Sequence, residues 1–323
     1  MSNQAPPGHL RWARLSRADV PAWTALTNLI EEADGTGESY QEADLAEELE
    51  EHGFTPETDS WAVWDGEDLI AYGQNRVSAN LDAEGSVRCS ADGGVHPHWR
   101  RRGIGGELFR RQEERIAAHA AQLHPGTPAH IRVHGGLEGS DRRGFFAARG
   151  YQIVRYFQLL TRPLPGEALD VPVPPGYRFI RPAAHHEGPL LEAHHRAFAD
   201  HWGSVAPTAE AWAERWRARS NRFEVSTLAT DAAGTILCYV IAAEWVPGEL
   251  YINLVATVPE ARGRGLAAAA LADTLRLAIA DGRWHTVELD VDAANPTGAT
   301  RLYERLGFRP RVTWATMRRD LPV

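Results

Sequence analysis

Val95-His-Pro-His-Trp-Arg-Arg-Arg-Gly-Ile-Gly-Gly106 and Thr257-Val-Pro-Glu-Ala-Arg-Gly-Arg-Gly-Leu-Ala-Ala268 are one motif written twice. Pro259 minus Pro97, Arg262 minus Arg100 and Gly265 minus Gly103 all give 162. A second pair of stretches, Phe145 to Tyr151 and Leu302 to Phe308, repeats at an offset of 157, Gly307 minus Gly150. The first copy therefore carries five more residues between the motifs, which the turn formers of Leu123-His-Pro-Gly-Thr-Pro128 accommodate. A fixed self-similarity of this kind marks a duplicated unit. Between the copies, Pro163 to Pro175 holds five prolines and suits a stiff, extended connector. The expected organisation is thus a domain over 1–162, a linker over 163–175 and a domain over 176–323.

The elements of the second half can be read outward from its motif. Leu266 to Ala280 has the apolar spacing of a helix, with Leu271, Leu275 and Ala278 on one face. Glu249 to Val258 before it and Trp284 to Val291 after it read as strands. Val287, Leu289 and Val291 alternate with Glu288, Asp290 and Asp292, so the later strand has one acidic side. Upstream lie two helices, His186 to Ala199 and Thr208 to Arg219, and two strands, Glu224 to Thr230 and Thr235 to Glu244. Asn295-Pro296 reads as the opening of a short helix that Gly307 closes. Arg311 to Arg318 reads as a returning strand. The fold class is α/β with a mixed sheet flanked by helices, present twice.

The chemistry of the motif follows from its glycines. A strand, then Arg-x-x-Gly-x-Gly, then a helix lets the backbone approach a ligand closely. The unpaired N–H groups of the helix carry the positive end of its dipole. Such a turn holds a phosphate or diphosphate, and its arginines can add charge-assisted donors. A solvated glycine turn is the plainer alternative, and recurrence at matching positions after a strand favours the anion site. Neither copy has the third glycine of the dinucleotide fingerprint.

A strand, Pro-x-x-Arg-x-x-Gly-x-Gly/Ala, a long helix, a strand, and Asn followed by Leu-Tyr-x-x-x-Gly-Phe resembles the GNAT superfamily of N-acetyltransferases. Val258-Pro259, Arg262, Gly265, Ala267, Asn295, Leu302-Tyr303 and Gly307-Phe308 carry the likeness in the second half. Val95, Pro97, Arg100, Gly103, Gly105 and Gly150-Tyr151 carry it in the first. One departure is spacing: Asn295 stands eight residues before Tyr303, where the family usually has seven. The resemblance implies two tandem GNAT-like domains, each a mostly antiparallel twisted sheet, with acetyl-CoA as cofactor.

It also implies roles for residues. The diphosphate would lie on the backbone of Arg262, Gly263, Arg264, Gly265, Leu266 and Ala267. In the first half the same turn is Arg100, Arg101, Arg102, Gly103, Ile104, Gly105 and Gly106, after Val95. Ala256, Thr257 and Val258 would pair with the pantetheine amides, Asn295 would touch the cofactor arm, and Phe198 and Trp202 would line the acceptor pocket. Tyr303 stands where the family's general acid returns a proton to the departing thiolate. A phenol near 10 and a thiol near 8.5 differ by only about 2 kcal/mol in proton affinity.

The halves differ where chemistry should occur. Phe146 occupies the first-copy position of Tyr303, and a phenyl ring donates no proton. The first domain is therefore expected to be catalytically degenerate and the second catalytic. A base for the acceptor amine is sought among Glu249 first and Glu244 second, with relay through water as the third route. The family pattern of the tandem enzymes places an acid eight residues before the proline, where this chain has Tyr251. Asp290 and Asp292 could face the acceptor and favour a cationic amine, or form a solvated polar stripe.

Composition narrows the function classes. All 34 basic residues are arginine, which removes Walker-type phosphate loops and lysine Schiff bases. A net charge of −9 argues against a nucleic-acid binder. Two cysteines build neither a disulfide framework nor a zinc site, and no stretch is long and apolar enough for a membrane span. His185-His186 and His194-His195 lack the spacing that joins metal ligands on one helix face, so no metal is expected. The resulting expectation is a cytoplasmic N-acetyltransferase, monomeric or homodimeric, that moves an acetyl group to a primary amine of a small molecule by direct attack. A non-catalytic acyl-CoA-binding module and the acetylation of a thiol-cofactor precursor are the alternatives.

Overall fold

The computed structural model describes residues 5–166, 169–199, 204–294 and 298–322. The chain opens with strand β1 (Arg11–Ala13) and helices α1 (Val20–Asp34), α2 (Glu42–Leu49) and α3 (Pro56–Asp59). Strands β2 (Ser60–Asp65), β3 (Asp68–Val77) and β4 (Val87–Val95) follow, then helix α4 (Ile104–Leu123). Strand β5 (Ala129–Leu137), helix α5 (Asp141–Ala147) and strand β6 (Gln152–Pro163) end the first series. The second series begins with β7 (Arg178–Ile180), α6 (Glu187–Phe198), α7 (Ala209–Arg217), β8 (Thr227–Thr230) and β9 (Ile236–Ala243). It continues with β10 (Glu249–Thr257), α8 (Leu266–Asp281), β11 (Thr286–Asp292), α9 (Ala299–Arg305) and β12 (Arg309–Asp320).

Two compact units result, Met1–Val154 with Trp314–Val323, and Arg155–Thr313. In unit 1 the strand order is β1-β2-β3-β4-β5-β12, and in unit 2 it is β6-β11-β10-β9-β8-β7. β4 runs parallel to β5 and β10 parallel to β11, while the other pairings described within each unit are antiparallel. A parallel step needs a crossover, and α4 and α8 supply it. Their first turns are the two glycine motifs.

One strand of each unit lies in the half of the sequence that carries the other copy of the motif. Phe157 to Pro163 of β6 pair with β11, and Trp314 to Asp320 of β12 pair with β5. The unit boundaries therefore fall inside β6 and β12, whereas the sequence divides at 162 and 176. Arg311 to Arg318 does form a strand, but from Trp314 onward it completes the sheet of unit 1. An alternating pattern specifies that a strand has a buried face and leaves its partner open.

The core of unit 2 lies between the sheet and α8. Leu250, Ile252, Val287 and Leu289 bury one sheet face against Leu271, Leu275 and Ala278. Each large side chain fully withdrawn from water contributes roughly 1.5–3 kcal/mol. Arg162 on β6 is also inside, with 2% of its surface exposed. Its guanidinium donates to the carbonyls of Leu306 (2.7 Å), Pro165 (3.1 Å) and Pro163 (3.2 Å). The exchanged strand thus ties down the carbonyl that follows α9, the helix that carries Tyr303.

Candidate active site

Strands β10 and β11 pair only at Glu249–Thr286, Leu250–Val287 and Tyr251–Glu288. Beyond Tyr251 they part, and β10 stays bonded to β9 alone through Thr257–Cys238. A register shift between Ile252 and Leu254 makes Asn253 a bulge residue. Bulges bend a strand and release backbone groups from the ladder, which opens a fork here. Ala256, Thr257 and Val258 lie on the arm of that fork leading to the motif; the Val258 amide donates to Leu237 (2.9 Å).

At the end of the arm the chain turns through Gly263 (φ 75°) and Gly265 (φ 78°), and α8 starts at Leu266. Both torsions lie in the left-handed region, which only glycine adopts without strain. A Cβ at either position would meet no atom within 4 Å, so the outer face of the turn is open. No side chain caps the helix at Gly265, and its first turn contains no acidic residue. Unpaired amides, a helix dipole and an open backbone face fit a diphosphate.

The motif arginines do other work. Arg262 donates to the carbonyls of Thr257 (3.3 Å) and Ala197 (3.0 Å), tying the turn to the end of α6. Arg100 repeats the device with the Val95 carbonyl (3.1 Å) and Asp34 (2.6 Å) at the end of α1. Arg264 donates to the Tyr177 hydroxyl at 2.7 Å, Arg101 pairs with Asp141 at 2.6 Å, and Arg102 lies over the Trp99 ring. Each motif arginine thus has a partner within the protein, while the backbone of the turn at Gly263 and Gly265 stays open.

Tyr303 is 8% exposed, edge-on to Phe308 with centroids 6.0 Å apart. Burial, and secondarily the adjacent Cys238 thiol, push its phenol up to about 12. Cys238 itself is pushed up to about 11 by burial, against a lowering bond from Thr257.

The expected bases have different surroundings. Glu244 pairs with Arg222 (2.8 Å) and accepts from the Gly248 amide (3.0 Å). Burial opposes its ionisation, but the amide and the guanidinium outweigh it and hold the carboxyl below its ordinary range. Glu249 begins β10, at the paired end of the fork. Asp292 is buried, accepts from the Ala294 amide (2.9 Å) and lies 3.8 Å from Arg155, so it closes the turn after β11. Asp290 is exposed and accepts a hydrogen bond from the Tyr251 hydroxyl at 2.9 Å. Sequence reasoning missed this pair, whose partners are 39 residues apart. Phe198 stacks on His194 with centroids 4.5 Å apart, and His194 bonds the Tyr239 hydroxyl at 2.7 Å. Trp202 and Asn295 lie outside the described residues.

Comparison with known proteins agrees with this geometry. Residues 190–308 match the family model "Acetyltransferase (GNAT) family". The mycothiol acetyltransferase of Mycobacterium sp. (strain JLS) is 34% identical over 225 residues, covering 66% of this chain and 69% of that one. The chain belongs to the GNAT family of acetyltransferases. A GCN5-related N-acetyltransferase from Sphaerobacter thermophilus superposes with a TM-score of 0.76 at 24% identity, over 98% of this chain and 97% of that one. A tandem GNAT protein from the clavulanic acid biosynthesis pathway gives 0.71 at 20% identity, over 97% and 99%. These two likenesses concern the fold, and they extend it to both copies.

As a GNAT N-acetyltransferase the chain uses acetyl-CoA, and the open amide turn of unit 2 fits the diphosphate of that molecule. The GNAT copy in unit 1 departs from it at each station. Arg101, at φ 64°, stands where unit 2 has Gly263. Glu107 lies in the first turn of α4, where its bonds from Arg110 and Arg111 pair its charge and hold its carboxyl down to about 2. β3 and β4 pair without a shift from Val77–Cys89 to Ala71–Val95, so there is no bulge. Arg142 reaches the Gly93 carbonyl of β4 (3.0 Å) and the His134 ring of β5 (3.4 Å). Phe146 packs on Tyr151 as Tyr303 packs on Phe308, with the hydroxyl on the opposite member of the pair. Among the described residues, no helix is long and apolar enough to cross a membrane.

Proposed function

We propose that unit 2 transfers the acetyl group of acetyl-CoA to a primary amine of a small molecule by direct attack, and that unit 1 is a catalytically degenerate copy. The observation that carries this reading is the concentration of bulge, open amide turn and buried phenol in unit 2. When bound, acetyl-CoA supplies the thioester that the amine attacks. The amides at Gly263 to Ala267 hold the diphosphate, and the arm at Ala256 to Val258 aligns the chain that carries the thioester. Alignment of this kind removes much of the entropic barrier to an amine–thioester reaction. Tyr303 returns a proton to sulfur. Its phenol is far above neutrality, so it is protonated whenever sulfur leaves. Glu249, Glu288, Asp290 and Asp292 share one face of β10 and β11 and give the acceptor side a negative field.

The test is the release of CoA thiol by the full chain from acetyl-CoA with a panel of primary amines: an amino sugar, a polyamine, a dipeptide and an amine-bearing thiol precursor. The last belongs there because relatives are named mycothiol acetyltransferases. Amine-dependent release with formation of the matching amide is expected. Tight binding of acetyl-CoA without turnover of any amine would establish a binding module instead.

A further inference from the structure

Unit 1 has a fork of its own. Its parallel strands β4 and β5 pair from Val87–Ala129 to Ser90–Arg132 and part beyond, while β4 stays bonded to β3 as far as Ala71–Val95. The His96 amide bonds back to Ile70 on β3 at 2.8 Å. Peptide groups alternate sides along a strand, so Gly94 also turns toward β3 and Gly93 turns into the fork. The Val258 amide bonds to Leu237 on β9 in the same way, which turns Val255 into the fork of unit 2. Gly93 plus the motif offset of 162 is Val255, so the two carbonyls hold matching places.

In unit 1 that carbonyl is taken. Arg142, the second residue of α5, donates to it at 3.0 Å and lies 3.4 Å from His134 Nδ1 on the opposite arm. The guanidinium therefore stands across the opening, with a charge-assisted bond to one side of it. Gly136 on β5 lets the start of α5 come this close. A Cβ there would stand 2.4 Å from Ser140 Oγ and 3.3 Å from Arg142 Cβ.

Acidic groups hold the side chain in place. Burial works against its charge, but Asp92 on β4 and Glu31 on α1 outweigh that and push the guanidinium above the usual arginine range. Withdrawing it would leave those carboxylates without its compensating charge.

The repeat supplies the contrast. Arg142 plus 157 is Ala299, the first residue of α9. An alanine ends at Cβ, so the side chain at that position cannot bridge the fork of unit 2.

We infer that the Arg142 side chain stands in unit 1 where the pantetheine arm of acetyl-CoA lies in unit 2, so that the chain binds one molecule of acetyl-CoA and not two. This rests on the acetyltransferase reading of unit 2. Recurrence of the motif alone would count two sites, and the turn at Gly103, φ 80°, keeps its glycine torsion. A diphosphate held at that turn carries an arm, however, and the arm meets a guanidinium already bonded to the strand. A tethered group loses no translational freedom on entering the site, whereas a free molecule does.

The experiment titrates the full chain with acetyl-CoA by calorimetry and counts the molecules bound. Wild type should bind one, and Gly265→Ala should weaken that one event at least tenfold. Arg142→Ala should bind two, the second at unit 1, with CoA release from the amine panel within twofold of wild type. Ala299→Arg should weaken binding to unit 2 at least tenfold, because it sets the same bridge across the second fork. A purely structural Arg142 would change the melting temperature and leave the count at one. Wild type that binds two molecules overturns the inference and leaves the acetyltransferase reading intact. So does an Arg142→Ala chain that melts cooperatively and still binds one. Should that variant fail to fold, unchanged affinity in Ala299→Arg overturns the inference. A single event that Gly265→Ala leaves untouched would put the bound molecule in unit 1 and also overturns it. Wild type that binds no acetyl-CoA overturns both.

Discussion

Tyr303 and Phe146 show what one oxygen atom decides. Both are buried rings at matching positions, and each packs on the aromatic five residues later. In unit 1 the hydroxyl belongs to Tyr151, where it donates to Glu113 at 2.9 Å. In unit 2 it belongs to Tyr303, near Cys238, the residue that pairs with Thr257 of the fork's arm. Tyr303→Phe should therefore lower kcat about 100-fold with acetyl-CoA affinity within twofold, read by steady-state kinetics and calorimetry. Full activity in that variant would assign proton return to water. A second residue-scale prediction concerns Glu48, which accepts from Gln74 at 2.8 Å. Burial, against the lowering bond from Gln74, pushes its carboxyl up to about 7. Its folded pKa lies above the unfolded value, so its contribution to stability is full below about 4.5 and is lost as pH rises through 7. Glu48→Gln should raise stability by about 2 kcal/mol at pH 8, with the gain vanishing near pH 4.5. Denaturant titrations at the two pH values check this.

At the scale of elements, the turn before α8 was legible because glycine torsions and helix termini have local sequence signals. What its arginines do was not, since the Ala197 carbonyl reaches Arg262 only through the packing of α6 against the turn. Gly265→Ala places a Cβ on the open face at φ 78°. It should cost about 1 kcal/mol of stability and weaken acetyl-CoA binding at least tenfold by calorimetry. Unchanged affinity would move the diphosphate elsewhere. The bulge at Asn253 was invisible in the alternation of Glu249 to Thr257, because an inserted residue changes facing without changing composition.

For the whole molecule, the decisive feature is the exchange of β6 and β12. A fragment spanning 176–323 lacks β6, which pairs with β11 from Phe157 to Pro163 and anchors α9 through Arg162. A fragment spanning 155–313 keeps both. The longer-bounded fragment should melt cooperatively, and the 176–323 fragment should aggregate or melt at least 10 °C lower, as circular dichroism would show. Equal melting of the two would mean that β6 contributes little to unit 2.

The sequence by itself determined the duplication, the glycine turns, the helix and strand order and the position of Tyr303. These rest on local rules of torsion, periodicity and spacing. Tertiary structure decided which strand completes which sheet, which arginines act as struts, and which carboxylate stands at the fork with Tyr251. Those are choices of partner between residues far apart in the chain, and alternation or charge constrains a face without naming what will meet it.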